Sequence, residues 1–405
     1  MKKNIGRWPA TKGSRPLSKA STQRATVPNI ARIPITNVYM EGDYTGIIKI
    51  GVSEKPLNVI LDTGSSALAL DAKKYSPSTG DQTSDLAQTD SYGDGSSWTG
   101  AVIQTTVTIG DGDSQIPLPN ANAAIAYQAS SNMFAGADGI LGLAYAPLDD
   151  AFQMPGDTWK NQYSSTQVRT GKAKPIAPYL TQLATAAVTS DKIAFYTLRS
   201  AIHVGTGNDA ADPLNNGLMI VGGGEESTDL YTGAFQSVKV LDDAWYSTNL
   251  KQVIVGTSSP IAARIQGPQG MPTNSIIDSG TNSLNLGQQL LNAILAQFPA
   301  SQRPVLKSAI LGQELVPVAE LGSLDNWPTI SFVLEGDAGD VKLDVPSSNY
   351  WQVDAGQVGY AAPAITVGEP GLAILGLPLM NGYFTIFDGE ADGGKGAVMF
   401  ATIKK

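Results

Sequence analysis

Two short stretches of this chain place an acid in the same unusual setting. Val59-Ile60-Leu61-Asp62-Thr63-Gly64-Ser65-Ser66 runs from apolar residues into an acid, a hydroxyl, a glycine and another hydroxyl. Ser275-Ile276-Ile277-Asp278-Ser279-Gly280-Thr281-Asn282 repeats that order. Each pattern describes a buried strand that ends in a carboxylate and a tight glycine turn. Two copies predict two half-sites meeting at a pseudo-twofold axis, with Asp62 and Asp278 face to face. Touching carboxylates cannot both ionise cheaply, so such a pair shares one proton over an acidic to near-neutral range. The ionised member can act as a general base on water, and the protonated member as a general acid.

The residue inventory removes most rival chemistries. The chain has no cysteine, which excludes disulfides, thiol nucleophiles and thiolate metal sites. It has one histidine, His203, so a zinc site needing several histidines is excluded and a Ser-His-Asp triad could use only this residue. We read His203, in Ser200-Ala201-Ile202-His203-Val204-Gly205, as a loop or strand-end residue. No cofactor and no metal are expected. No apolar run approaches the roughly 18 to 20 residues of a membrane span. The basic start is followed by no apolar h-region of a signal peptide. With no cysteine either, the expected setting is the cytoplasm.

Charge is uneven. Of 27 basic residues, eight (Lys2, Lys3, Arg7, Lys12, Arg15, Lys19, Arg24 and Arg32) lie in residues 1–40, which hold no acid; 19 basic residues face 36 acidic ones in the remainder. An acidic body of net charge −17 is a poor partner for nucleic acid and a good one for its own basic head. Residues 1–32 read as a basic extension, either a solvated flexible tail or a segment lying against the body.

Stepping outward, strand patterns recur at 44–52, 57–61, 101–109, 123–127, 193–198, 218–221, 235–240, 329–334, 341–345 and 383–387, separated by turns rich in Gly, Asp and Asn. Helical periodicity is confined to 287–298, with Leu290, Leu291, Ile294 and Leu295, and to a shorter stretch at 178–189. This is an all-β pattern. The repeat also extends past the acids. Ile140-Leu141-Gly142 follows Asp62, with its glycine 80 residues on, and Ile374-Leu375-Gly376 follows Asp278, with its glycine 98 residues on. A duplicated lobe is expected, with residues 33–205 and 206–405 as the halves and the boundary in the turn-rich stretch 200–217.

These motifs together resemble those of the pepsin-like aspartic proteases over about residues 33–405, from Ile33-Pro34-Ile35-Thr36-Asn37 onward. Asp62-Thr63-Gly64-Ser65 and Asp278-Ser279-Gly280-Thr281 match the two catalytic loops. Asp138-Gly139-Ile140-Leu141-Gly142-Leu143 and Ile374-Leu375-Gly376 match the strands beneath them. Tyr92-Gly93-Asp94-Gly95-Ser96 resembles the flap, and Met219-Ile220-Val221-Gly222-Gly223 resembles a strand and turn of the second lobe. The cysteine-free composition is closest in character to bacterial, shewasin-like homologues.

The resemblance implies a bilobal all-β fold, with two barrel-like lobes flanking a deep cleft and an interlobe sheet beneath. It implies an aspartic endopeptidase that cuts extended, largely apolar peptides, binds pepstatin-type inhibitors and works as a monomer. A non-catalytic peptide-binding protein and a carbohydrate-active protein with paired carboxylates are the alternatives. By resemblance, Asp62 and Asp278 are catalytic. Thr63 and Ser279 support them by cross-lobe hydrogen bonds, Ser65 and Thr281 orient the carboxylates, and Gly64 and Gly280 allow close approach. Tyr92, Gly93 and Asp94 belong to the flap, where Asp94 would favour a basic P1 residue. Ile60 and Ile140 border S1, Met133 and Phe134 could join them, and Trp245 and Tyr246 either line the second lobe's side or pack between the lobes.

Three departures stand out. Ala69 replaces a tryptophan that many members carry seven residues after the first acid, which leaves Tyr92 less restrained unless Trp98 substitutes. Leu377 follows Gly376 where an acid is common. The basic head is shorter than an inhibitory prosegment and lacks a helical pattern, so inhibition by residues 1–32 stays open.

Overall fold

The computed structural model of the protein describes residues 29–404, except 41, 135, 264–266 and 268–272. Most of the basic head, and with it the question of inhibition, lies outside the described residues. Arg32 is described, and pairs with Asp229 at 2.9 Å.

Strand-forming sequence closes on itself in the first lobe. Strands Asp43–Ile50, Lys55–Asp62, Gly139–Gly142, Leu68–Asp71, Ile116–Ala129 and Ser97–Ile109 pair in that order, and the last pairs back to the first. The result is a six-stranded barrel. From it, Ala31–Met40 leads into a sheet continued by Asn216–Val221, Lys192–Tyr196, Tyr383–Asp388, Ala397–Ile403 and Tyr231–Lys239. In Ala31–Met40, Ala31, Ile33 and Ile35 are buried while Arg32 and Pro34 face out, as a one-sided strand requires. The fold is mostly strand and fits the bilobal all-β expectation.

The repeat is visible in the pairing. Lys55–Asp62 runs parallel to Gly139–Gly142, which pairs antiparallel with Leu68–Asp71, which runs parallel to Ile116–Ala129. Ser275–Ile277, Ala373–Leu375, Leu284–Gly287 and Ile365–Gly368 repeat that order and those directions. The two Ile-Leu-Gly signatures are the equivalent central strands. The surroundings differ. In the first lobe, Gln82–Ser91 and Ser97–Ile109 form a long hairpin, and an arm of Asp150–Gln153 and Lys172–Pro175 docks on its outer edge.

The helix expected at 287–298 runs Gln288–Gln297 and buries the four predicted leucine and isoleucine side chains. The second is shorter than expected, Tyr179–Thr185, with Ala187 turning to φ 54°. A third, Arg303–Gly312, was not expected from the sequence; it buries Leu306, Ala309 and Ile310. Its Pro304 breaks the pattern for a reader, yet sits in the first turn, where proline removes no hydrogen bond.

Aromatic residues lock the lobes to the sheet between them. Tyr145 of the first lobe lies 4.8 Å from Tyr246 of the second. Tyr246 meets Phe387 at 4.6 Å, and Phe387 meets Phe195 edge-on at 5.9 Å. Phe387 is fully buried. Phe387→Ala should lower unfolding stability by about 3–5 kcal/mol, measured as a drop in the urea midpoint.

Candidate active site

The two acids stand where their strands end. Asp62 is the last residue of Lys55–Asp62, in register with Gly142, and Asp278 follows Ser275–Ile277 directly. Each acid starts a loop that turns back over its central strand. Leu143 N–H donates to the Asp62 carbonyl (2.8 Å) and Ala144 N–H to that of Ser65 (2.8 Å). In the second lobe, Leu377 N–H donates to Thr281 O (2.8 Å). A Cβ on Gly142 would lie 2.5 Å from the Ser66 backbone, and one on Gly376 2.1 Å from Thr281 O. Only glycine fits under either loop.

Hydrogen bonds cross between the loops with twofold symmetry. Thr63 N–H donates to Ser279 Oγ (3.0 Å), and Ser279 N–H donates to Thr63 Oγ1 (2.8 Å). Each hydroxyl then donates to the opposite strand, Thr63 to Ile277 O (3.2 Å) and Ser279 to Leu61 O (2.7 Å). The loops approach so closely that a Cβ on Gly64 would lie 2.8 Å from Asp278 Oδ1, and one on Gly280 2.4 Å from Asp62 Oδ1. The carboxylates are held alike. Asp62 accepts from Gly64 N–H (2.8 Å) and Ser65 Oγ (2.5 Å), and Asp278 from Gly280 N–H (2.9 Å) and Thr281 Oγ1 (2.7 Å).

Both acids are buried, at 6% and 7% exposure. Burial pushes the Asp62 carboxyl well above the carboxylate range, the charge of Asp278 adds to this, and the bonds from Ser65 and Gly64 pull the other way. Asp62 and Asp278 are in hydrogen-bonding contact. Chemically, this is a pair of carboxyl groups in contact, each oriented by its own loop.

The hairpin bearing Tyr92, Gly93 and Asp94 covers one side of the pair. Tyr92 N–H donates to Ser96 O (2.9 Å) and Gly95 N–H to Tyr92 O (3.0 Å), closing the tip. Trp98 Nε1–H donates to the Tyr92 hydroxyl (3.2 Å); Trp98 thus supplies the donor that Ala69 cannot. Burial raises the Tyr92 phenol well above its usual value, with help from the Asp90 and Asp62 charges, while Trp98 and Ser65 bonds oppose it. The flap hydroxyl therefore reaches Ser65, which holds Asp62. Ile60, Ile140, Met133, Phe134, Ala69 and Trp98 form one apolar cluster, with Tyr92 packed against it.

Of the two second-lobe aromatic residues, Tyr246 is the one taken up by interlobe packing. Tyr246 is 2% exposed, and its hydroxyl donates to Leu143 O (3.3 Å); it packs between the lobes. Trp245 packs on Ile276, Leu372 and Ile374 and donates from Nε1 to Gly64 O (2.9 Å), bracing the first loop from the second lobe. The Asp94 carboxylate turns back to accept from Ser96 N–H (2.8 Å) and Oγ (2.7 Å), into its own hairpin. His203 sits far along the chain from both loops, between Asp212 (2.5 Å) and Asp354 (3.6 Å). Among the described residues no cluster of acidic or histidine side chains could hold a metal ion. Sequence reading passed over Ser66, whose Oγ donates to Tyr145 O (2.7 Å), although it lies inside the first motif. It also missed the buried pair Gln88 and Asp149, for which Leu148-Asp149-Asp150 gives no signal.

Comparison with known proteins agrees with this geometry. The family model described as eukaryotic aspartyl protease matches residues 43–170 and 209–399, well over half of the chain. Gastricsin of Callithrix jacchus is 27% identical over 369 residues, covering 86% of this chain and 80% of the relative. Human gastricsin is 26% identical over 371 residues, covering 86% and 80%. Rabbit pepsin II-2/3 is 24% identical over 371 residues, covering 86% and 79%.

The Trp98–Tyr92 bond generates a test. Trp98→Phe keeps the apolar wall and removes one donor, a loss of about 0.5–1.5 kcal/mol. Peptide kcat/KM should fall about two- to tenfold, and for Tyr92→Phe, which also loses the contact with Ser65, it should fall at least as far.

Proposed function

The chain belongs to the aspartyl protease family and is an aspartic-type endopeptidase; on that premise we propose that Asp62 and Asp278 share one proton and activate a single water between them. The observation that carries this reading is the symmetric set of cross-loop bonds around two buried, touching carboxyls. In the proposed cycle the ionised member takes a proton from water as the oxygen attacks the scissile carbonyl carbon. The protonated member gives its proton to the carbonyl oxygen, which yields a neutral tetrahedral diol. As the C–N bond breaks, one diol hydroxyl returns its proton to the pair and the pair's other proton goes to the leaving nitrogen. The pair ends with one proton, as it began. No covalent enzyme intermediate is needed.

We read Tyr92 and its hairpin as a lid that closes on bound peptide and excludes water. The apolar cluster of Ile60, Ile140, Met133 and Phe134 favours an apolar side chain beside Asp62, and a cleft between lobes favours an extended peptide. Pepstatin-type inhibitors would occupy the same place. A cysteine-free composition supports a bacterial, cytoplasmic member.

Asp62→Asn and Asp278→Asn should each reduce peptide cleavage by at least about 10³-fold and abolish pepstatin-type inhibition together with it. Retained cleavage in either variant refutes the pair. The pH profile of kcat/KM should be a bell. Activity falls at low pH as the second carboxyl is protonated, and at higher pH as the shared proton is lost. The raised Asp62 value carries the upper limb beyond the usual carboxylate range.

A further inference from the structure

A further buried acid lies between the flap and the strand beneath the dyad. Gly139–Gly142 carries Leu143 and Ala144, which hold the Asp62 loop, and then turns through Ala146–Leu148 to Asp149. Asp149 is 2% exposed, and its Oδ1 accepts from Gln88 Nε2 at 2.6 Å. Gln88 is also buried, on Gln82–Ser91, four residues before Tyr92. The Asp149 carbonyl accepts from Ile176 N–H (3.2 Å), which fixes the end of the arm that pairs with the flap strand at Leu86 and Ala87. Thr158 Oγ1, on the same arm, donates to Ser84 O and Leu86 O. The dyad loop, its supporting strand, the arm and the flap thus meet at one side-chain hydrogen bond.

We propose that Asp149 is a positioning residue that ties the flap to the strand beneath the dyad while its carboxyl is neutral, and that its ionisation releases the flap. This rests on the protease reading. The charged groups facing Asp149 are Asp90 on the flap strand and Asp150 on the arm, both of its own sign; Arg169 of the arm acts on Asp90. Burial, with these acids, holds the Asp149 carboxyl up at about 8 against the bond from Gln88. The sign follows. The unfolded chain ionises this acid from about pH 4 and the folded chain only near pH 8, so folding loses stability as pH rises across that window. An ionised Asp149 would be a buried charge without a counter-ion, relieved when the arm and flap part.

The test uses the full chain, with Asp149→Asn, which keeps the acceptor for Gln88 but cannot ionise, and Gln88→Leu, which removes the donor. Hydrogen exchange of the amides of residues 82–97, corrected for intrinsic rate, is compared at about pH 5 and about pH 9. Wild type should exchange at least about tenfold faster at the higher pH, and Asp149→Asn should stay protected at both. Gln88→Leu should exchange fast at both, and at acidic pH should raise KM about three- to tenfold with kcat within about twofold. Asp149→Asn opening with pH as wild type does, or Gln88→Leu with unchanged KM and protection, overturns the proposal. Wild type that cleaves no peptide would sink the protease reading instead, and exchange would still report the tie.

Discussion

The structure depends on holding two like carboxyls together across the junction of two lobes. Left free, Asp62 and Asp278 would repel and hydrate. Four hydrogen bonds prevent this, running from Thr63 to Ser279 and Ile277 and from Ser279 to Thr63 and Leu61. Both hydroxyls donate and accept, so neither loop can shift without stranding buried polar groups. Other features follow from this demand. Gly64 and Gly280 must lack a Cβ because each lies against the opposite carboxyl, and Gly142 and Gly376 because the loops sit directly upon them. The aromatic contacts from Tyr145 through Tyr246 to Phe387 hold the lobes at the spacing those bonds require.

Symmetry ends a few residues from the pair. The ψ-like order of four strands is common to both lobes, but the hairpin over the pair comes from the first. So do Ile60, Ile140, Met133 and Phe134. The second lobe contributes differently: its Trp245 donates to Gly64 O of the first loop. A twofold-symmetric pair of acids is thereby set in asymmetric surroundings.

Much of this was legible in the sequence because it is written in local patterns. The acid-turn motifs, the Ile-Leu-Gly strands and the alternating segments each need only a few consecutive residues, and the structure pairs them in the expected order. The helix Arg303–Gly312 escaped because Pro304 masks a sound spacing of Leu306, Ala309 and Ile310. Tyr246 was open between cleft wall and core because an aromatic residue beside Trp245 serves either place equally well; only its contacts with Tyr145 and Phe387 decide. Asp94 shows another limit. A charge at a hairpin tip suggests a field toward the cleft, but a short acid two residues before a serine also satisfies its own turn. Asp149 and Gln88 lie 61 residues apart, and neither has a local sequence signal for burial.

The bond between Trp98 and Tyr92 has a consequence for how this region can be inherited. Both partners lie on one hairpin, six residues apart, whereas a tryptophan at position 69 would anchor the tyrosine to the barrel wall. The hairpin therefore carries its own latch. Grafted onto a relative, such a hairpin would bring the Trp98 restraint on Tyr92 with it. The converse graft, a lid that expects its tryptophan from the wall, would arrive here without an anchor.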